Sequence, residues 1–73
     1  MIRINPVYIN RFKMISQGYR YYDDSIKGAV LYFNKNLEYT SYVSYNNYTN
    51  DYKVSKCIER LLSLGFLEII EGE

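Results

Sequence analysis

The sequence has no histidine and only one cysteine, Cys57, among its 73 residues. The usual structural zinc sites need four cysteine and histidine ligands, so they cannot form within this chain. Catalysis by a nucleophile that a neighbouring histidine activates is excluded as well, and a single cysteine leaves no partner for an internal disulfide. We therefore expect a protein that is not an enzyme and that uses no metal or other cofactor.

Glycine-rich loops and long apolar runs are also missing. The four glycines are scattered along the chain, so the sequence has no loop that could cradle a phosphate through backbone N–H groups. No run of about 18 apolar residues is present, which argues against a membrane-spanning helix. The amino terminus also lacks the basic and then apolar segments of a secretory signal. These absences predict a cytoplasmic protein with no membrane partner.

Length and charge set further limits. A chain of 73 residues with 48% hydrophobic residues predicts one domain over residues 1–73, and a domain this small buries only about 60% of its unfolded surface. The formal net charge is +1, but the charges are unevenly distributed. Residues 1–22 contain four basic residues and no acidic one, whereas residues 68–73 contain three glutamates and no basic one. Such asymmetry can create a positive face on a nearly neutral protein.

The clearest periodic pattern lies near the carboxyl end. Apolar residues recur at helical spacing and predict one buried helix face: Val54, Ile58, Leu61 and Leu64. We predict a helix over residues 51–64, capped by Asn50 or Thr49 and ended by Gly65, with a strand over residues 66–70. Cys57 falls next to the apolar stripe, which predicts a buried thiol.

The first half of the chain suggests two more helices. Residues 1–4 are β-prone, and Asn5-Pro6 has the form of a helix start, with a helix predicted to about Gln17 and ended by Gly18. A second helix is predicted over residues 25–35, because Ile26, Ala29, Val30 and Phe33 follow an amphipathic pattern. Asp24 or Ser25 would cap it.

Residues 37–49 are ambiguous. Tyrosines recur at every third position from Tyr39 to Tyr48, and local propensity favours two strands with a turn at Asn46-Asn47. The alternative is a short helix from Thr40 to about Asn47. The resemblance described next favours the helix.

The carboxyl half resembles the winged-helix branch of helix-turn-helix proteins over residues 25–70. Counted from Val54, the recognition helix of that family has apolar residues four, seven and ten positions on, then a glycine and two apolar strand residues. The corresponding residues in this chain are Ile58, Leu61, Leu64, Gly65, Phe66 and Leu67. Thr40 matches the cap of the preceding helix, and Val43-Ser44 matches the point where the two helices cross. Tyr48 and Thr49 depart from the family pattern in the turn, and too few residues follow the strand for a full wing.

The resemblance implies an α+β fold that is mainly helical, a winged helix-turn-helix with a shortened wing. Its last helix would enter the major groove of DNA and carry the DNA-binding residues. Those residues are Asn50, Tyr52, Lys53, Ser55, Lys56 and Arg60. The implied function is sequence-selective binding of duplex DNA by a small transcriptional regulator of a virus or mobile element. The competing interpretation of these residues is an ordinary solvated helix face.

Ten tyrosines favour two other functions. Tyrosine is common at the centre of protein interfaces, so one alternative is a small inhibitor or adaptor that binds a host protein through a tyrosine-rich surface. A weaker alternative is a single-strand binder, because bases of single-stranded nucleic acid stack on aromatic rings that have basic neighbours.

The sequence also predicts a core and an oligomeric state. We expect Ile58, Leu61, Leu64, Val30 and Phe33 to be buried together. An apolar strand over residues 66–70 without a wing to cover it favours a homodimer through Phe66 and Ile70. Pairing of residues 1–4 with residues 66–70 in the same chain is the alternative.

Overall fold

The computed structural model describes residues 1–45 and 49–71, which contain more strand than helix. The strands are β1 (Ile2–Ile4), β2 (Lys13–Ile15), β3 (Gly18–Tyr21), β4 (Ala29–Phe33), β5 (Tyr39–Ser44) and β6 (Leu67–Ile69). One α-helix, α1, spans Asp51–Leu64, and two short 3-10 helices span Pro6–Arg11 and Asp24–Ile26.

Strands β2 to β5 form one antiparallel sheet in which each strand pairs with the next along the chain. Arg20 lies opposite both Lys13 and Tyr32, and Val30 lies opposite Val43. The sheet is therefore a meander built from short-range hairpins, with one face turned toward α1 and the other toward solvent.

The predicted helix over residues 25–35 is wrong, because residues 29–33 form β4. Ala29, Leu31 and Phe33 are buried, whereas Val30 and Tyr32 are only half-buried. This alternation is the period of a strand, whose successive side chains point to opposite faces. The helical part of this segment is the short 3-10 helix Asp24–Ile26, which comes just before β4. Asp23 caps it by accepting a hydrogen bond from the Ser25 backbone N–H at 2.9 Å.

The predicted helix from Thr40 to Asn47 is also wrong. Local strand propensity prevails in β5, and Thr40 is not a helix cap: its hydroxyl donates to the backbone carbonyl of Tyr32 at 3.1 Å. The predicted turn at Asn46-Asn47 lies outside the described residues.

The predicted helix to Gln17 ends much earlier. Asn5 does cap a helix start, accepting a hydrogen bond from the Val7 N–H at 3.1 Å, but the 3-10 helix stops at Arg11. Gly18 is not a helix stop; it begins β3 with a φ of +151°. A Cβ there would lie 2.0 Å from the Phe33 carbonyl oxygen, so the close approach of β3 and β4 requires glycine.

The prediction of α1 is confirmed. Asn50 caps it, accepting from the Lys53 N–H at 3.0 Å, and Gly65 ends it in the left-handed conformation with a φ of +85°. Val54, Cys57 and Leu61 are buried against the sheet, which also confirms the buried thiol.

The predicted core is right in part. Leu61 and Phe33 are buried, and Ile58 packs against the core from a partly buried position. Leu64, however, is 51% exposed, and Val30 lies on the opposite side of the sheet. The core is therefore centred on the sheet face under α1, with Ile4, Ile26 and Leu31 fully buried in it.

The two ends of the described chain pair with each other. Strands β1 and β6 form an antiparallel two-stranded sheet, with Ile4 opposite Leu67. This arrangement confirms the pairing of residues 1–4 with residues 66–70 within one chain. Phe66, predicted to face a partner chain, instead packs on Tyr8 with ring centroids 4.9 Å apart.

The prediction of a mainly helical, winged helix-turn-helix fold is therefore wrong. The residues expected to form its first two helices form strands β4 and β5, so among the described residues α1 lacks the two neighbouring α-helices that such a fold requires. The observed fold is α+β: one main helix on a four-stranded antiparallel sheet, with a two-stranded sheet beside it. Within residues 1–45 and 49–71, no helix has the length and apolar character needed to cross a membrane.

Candidate nucleic-acid interface

The six residues predicted to bind DNA all belong to α1 or to its cap. Asn50 is the cap residue, and its side-chain oxygen is occupied by the Lys53 backbone N–H. Tyr52 is 68% exposed, and Ser55 is exposed as well. The six residues therefore lie together on α1 and its cap, as predicted. The side-chain oxygen of Asn50, however, is already used in the cap hydrogen bond.

Arg60 is held by the chain itself. Its guanidinium forms an ion pair with Asp23 and donates to the Ser25 hydroxyl at 3.2 Å. Asp23 also accepts a hydrogen bond from the Tyr21 hydroxyl at 2.8 Å. Burial opposes ionisation of Asp23, but hydrogen bonds from Ser25, Tyr21 and Arg60 together hold its pKa below the ordinary value. Arg60 thus fastens α1 to the 3-10 helix before β4.

The pKa values of two neighbouring groups, the Tyr21 hydroxyl and the Cys57 thiol, are also shifted. Burial, reinforced by the negative charge of Asp23, raises the pKa of Tyr21 to about 12. Burial also raises the pKa of the Cys57 thiol. Since the thiolate is the reactive form, this cysteine is a structural side chain.

The lysines of α1 have acidic or aromatic neighbours. Lys56 lies 3.8 Å from a Glu59 carboxylate oxygen, and its ammonium is 5.6 Å from the centre of the Tyr52 ring. Lys53 lines a cleft with Asp24, Ser25 and Lys27. Carboxylates of the same chain are therefore ion-paired with two of the three basic residues of this helix, Lys56 and Arg60.

The solvent side of the four-stranded sheet has a different character. Strands β2 to β5 contain no aspartate or glutamate. Their outward residues, which we call the outer face, are Lys13, Arg20, Val30, Tyr32, Ser41 and Val43, together with Tyr45 just after β5. The outer face thus combines positive charge, aromatic rings and apolar side chains.

Two positive charges are placed side by side on this face. Lys13 and Arg20 occupy directly opposed positions on β2 and β3, and Tyr32 is the next residue in the same row. Like charges at opposed positions of an antiparallel pair reduce stability. The repulsion between Lys13 and Arg20 therefore destabilises this strand pair, and an anion bound between them would reduce that repulsion.

The aromatic rings lie beside these charges. The hydroxyls of Tyr32 and Tyr45 are 3.3 Å apart, and Tyr45 is 65% exposed. The hydrogen bond with Tyr32 raises the pKa of Tyr45, while the positive charge of Arg20 acts in the opposite direction. Arg20 is thus close enough to act on the tyrosine pair.

Sequence reasoning missed the outer face because it assigned every residue of that face except Arg20 to a helix, and Arg20 to the connection between two helices. The signal that could have found it is the alternation in residues 29–33, together with residues 15–18 interpreted as a tight turn between two strands. That turn is what brings Lys13 opposite Arg20. Among the described residues, no group of three or more acidic, cysteine or histidine side chains is placed to hold a metal ion.

Comparison with known proteins identifies no relative. No protein-family model matches the chain, and neither curated proteins nor solved structures give a match. Nothing in these comparisons identifies the winged-helix family.

Proposed function

We propose that this protein binds single-stranded nucleic acid on the outer face of its sheet. The observation that carries the proposal is the row of Lys13, Arg20 and Tyr32 on strands that contain no carboxylate. Proteins that bind single strands combine positive charge along the phosphate backbone with aromatic rings on which bases stack. An exposed sheet face suits unstacked bases better than it suits the grooves of a duplex.

Duplex binding through α1 is less well supported. It depended on the winged-helix fold, and two of the three basic residues of the helix, Lys56 and Arg60, are ion-paired with Glu59 and Asp23. Duplex binding stays a prediction, which the same experiment tests.

The test is fluorescence anisotropy with a labelled mixed-sequence oligonucleotide, offered either as a single strand or as a duplex. We expect tighter binding of the single strand. Replacing Lys13 and Arg20 with alanine should make the slope of the logarithm of the binding constant against the logarithm of salt concentration shallower. The change should be about 0.7 for each phosphate that is no longer neutralised. Tyr45→Ala should weaken binding by about 1–3 kcal/mol if one base stacks there, whereas Tyr45→Phe, which keeps the ring, should bind nearly normally.

Two matched controls come from the helix. Tyr52→Ala removes an equally exposed tyrosine from α1, and Lys53→Ala with Lys56→Ala removes two positive charges from it. Neither variant should change single-strand binding. If the lysine pair weakens binding of the duplex and the outer-face variants do not, α1 is the binding surface and the proposal fails.

A protein ligand on the same face is the second candidate function. The observation that favours it is the opposed pair Val30 and Val43, with Val43 41% exposed, near the tyrosines. Apolar and tyrosine side chains in one patch are typical of protein interfaces. Failure to bind any oligonucleotide at low salt would favour this inhibitor or adaptor role over nucleic acid.

A further inference from the structure

One end of the outer face opens into a depression of about 450 Å³. Ile15 and Tyr32 form its apolar walls, and Ser16, Gln17 and Thr40 supply polar groups. Its volume falls within the range of small-molecule sites, about 300–1,000 Å³. Tyr32 belongs both to this depression and to the row that it forms with Lys13 and Arg20. A nucleic-acid strand lying along that row would therefore pass directly over the depression.

The polar groups of the depression differ in what they can still bind. The side chain of Asn34, at its rim, is fully engaged: its oxygen accepts from the N–H groups of Asn36 and Glu38, and its amide donates to Glu38. The Thr40 hydroxyl proton is directed to the Tyr32 carbonyl, which leaves only lone pairs for a ligand. Within the described ranges, the exposed side-chain amide of Gln17 makes no hydrogen bond.

These remaining donors and acceptors select a class of base. An acceptor-only Thr40 requires a donor on the ligand, as on a base with an exocyclic amino group. A glutamine amide presents an N–H donor and an oxygen acceptor side by side, the combination that matches an adenine edge in bidentate fashion. In single strands such edges are available because the bases are splayed out.

The positive charge of Lys35 lies on the other side of the turn formed by residues 15–18 between β2 and β3. Lys35 lines a second, smaller depression of about 230 Å³ that shares Ile15 and Ser16 with the first. A lysine beside a base-sized depression can hold the phosphate of the nucleotide whose base enters it. Such a contact adds affinity without distinguishing one base from another.

We propose that the depression accepts one adenine base of a bound single strand, and that Gln17 determines this specificity while Lys35 holds the adjoining phosphate. The inference rests on the proposed function, because it concerns one nucleotide of a strand bound on the outer face.

The test compares labelled single strands that are identical except for one central base, which is adenine, cytosine, guanine or thymine. We expect the adenine strand to bind most tightly. Gln17→Leu, which keeps the size but removes the amide, should erase the preference, with a loss of roughly five-fold to one-hundred-fold for adenine alone. Lys35→Ala should weaken all four strands by the same factor.

Asn10→Leu is the matched control, because it removes an exposed amide from the first 3-10 helix, away from the depression. A second measurement follows the side-chain amide resonances of Gln17 by NMR during titration with the adenine strand, and these should shift more than with the thymine strand. If all four strands bind equally and Gln17→Leu has no effect, the adenine site is refuted while single-strand binding stands. If no strand binds, the proposed function itself is refuted, and this inference with it.

Discussion

Asp23 connects three parts of the molecule through one carboxylate. It accepts from the Tyr21 hydroxyl at the end of β3, caps the 3-10 helix Asp24–Ile26 through the Ser25 N–H, and forms an ion pair with Arg60 of α1. These interactions need the ionised carboxylate, which explains why its pKa is lowered despite partial burial.

The lowered pKa predicts a loss of stability in acid. A group whose pKa is lower in the folded state stabilises that state above its unfolded pKa, near 3.9 for aspartate, and the contribution disappears as the pH falls through the folded value. We therefore expect the urea midpoint to fall as the pH drops from about 4 toward the folded pKa of Asp23. Asp23→Asn should be less stable at neutral pH and should lose that part of the pH dependence.

Asp24→Asn provides the comparison at the residue scale, because Asp24 is the exposed neighbour of Asp23. It should leave the acid dependence of the urea midpoint close to that of the unmodified protein. Equal pH profiles for the two variants would show that the Asp23 network does not stabilise the fold.

At the scale of elements, two leucines of α1 provide a test of how the helix is oriented on the sheet. Leu61 is fully buried, whereas Leu64, one turn later, is 51% exposed. Leu61→Ala should lower the free energy of unfolding by about 2–5 kcal/mol, because it leaves a cavity against the sheet. Leu64→Ala should change it by no more than about 0.5 kcal/mol. Similar losses for both, measured by urea unfolding, would contradict the described orientation.

Gly18 tests the close approach of β3 and β4. A Cβ at this position meets the Phe33 carbonyl oxygen at 2.0 Å, and the φ of +151° is a conformation that side-chain-bearing residues rarely adopt. Gly18→Ala should cost at least the 1–3 kcal/mol typical of such backbone strain, with the steric contact adding to it. Ser16→Ala, in the same turn, should have little effect on the thermal midpoint; a Gly18→Ala protein as stable as that control would contradict the register of β3 on β4.

Helix α1 could be predicted because every signal for it is local. The Asn50 cap, the apolar stripe and the left-handed Gly65 all act within the segment and agree with one another. Residues 26–33 carry no such agreement. Ile26, Ala29, Val30 and Phe33 fit a helical period, while Ala29, Leu31 and Phe33 fit a strand, and pairing with β3 and β5 decides between the two.

The candidate site could not be predicted for the same reason. Lys13 and Arg20 are seven positions apart in sequence and become neighbours only through the hairpin between β2 and β3. Tyr32 becomes an outer-face residue only once β4 is a strand. By contrast, the spacing of Lys53, Lys56 and Arg60 on α1 was visible in the sequence, but the ion pair of Arg60 with Asp23, 37 positions away, was not.

At the scale of the whole molecule, the core is covered by segments far apart in the chain. Ile4 of β1 and Leu67 of β6 are opposed in the small sheet and both buried. Ile4 also donates its N–H to the Leu37 carbonyl at 2.8 Å, which ties the small sheet to the connection between β4 and β5. Contacts of such large sequence separation slow folding relative to the local hairpins.

This end-to-end pairing also determines how the protein responds to force. The backbone N–H of Ile70 donates to the Met1 carbonyl at 2.8 Å, so this bond closes the antiparallel β1–β6 pair on the side where Met1 and Ile70 are neighbours. Tension applied there loads the hydrogen bonds one after another, as in opening a zip, instead of shearing all of them at once. Separation of β1 from β6 in this order would uncover Ile4 and Leu67, which the intact pair keeps buried.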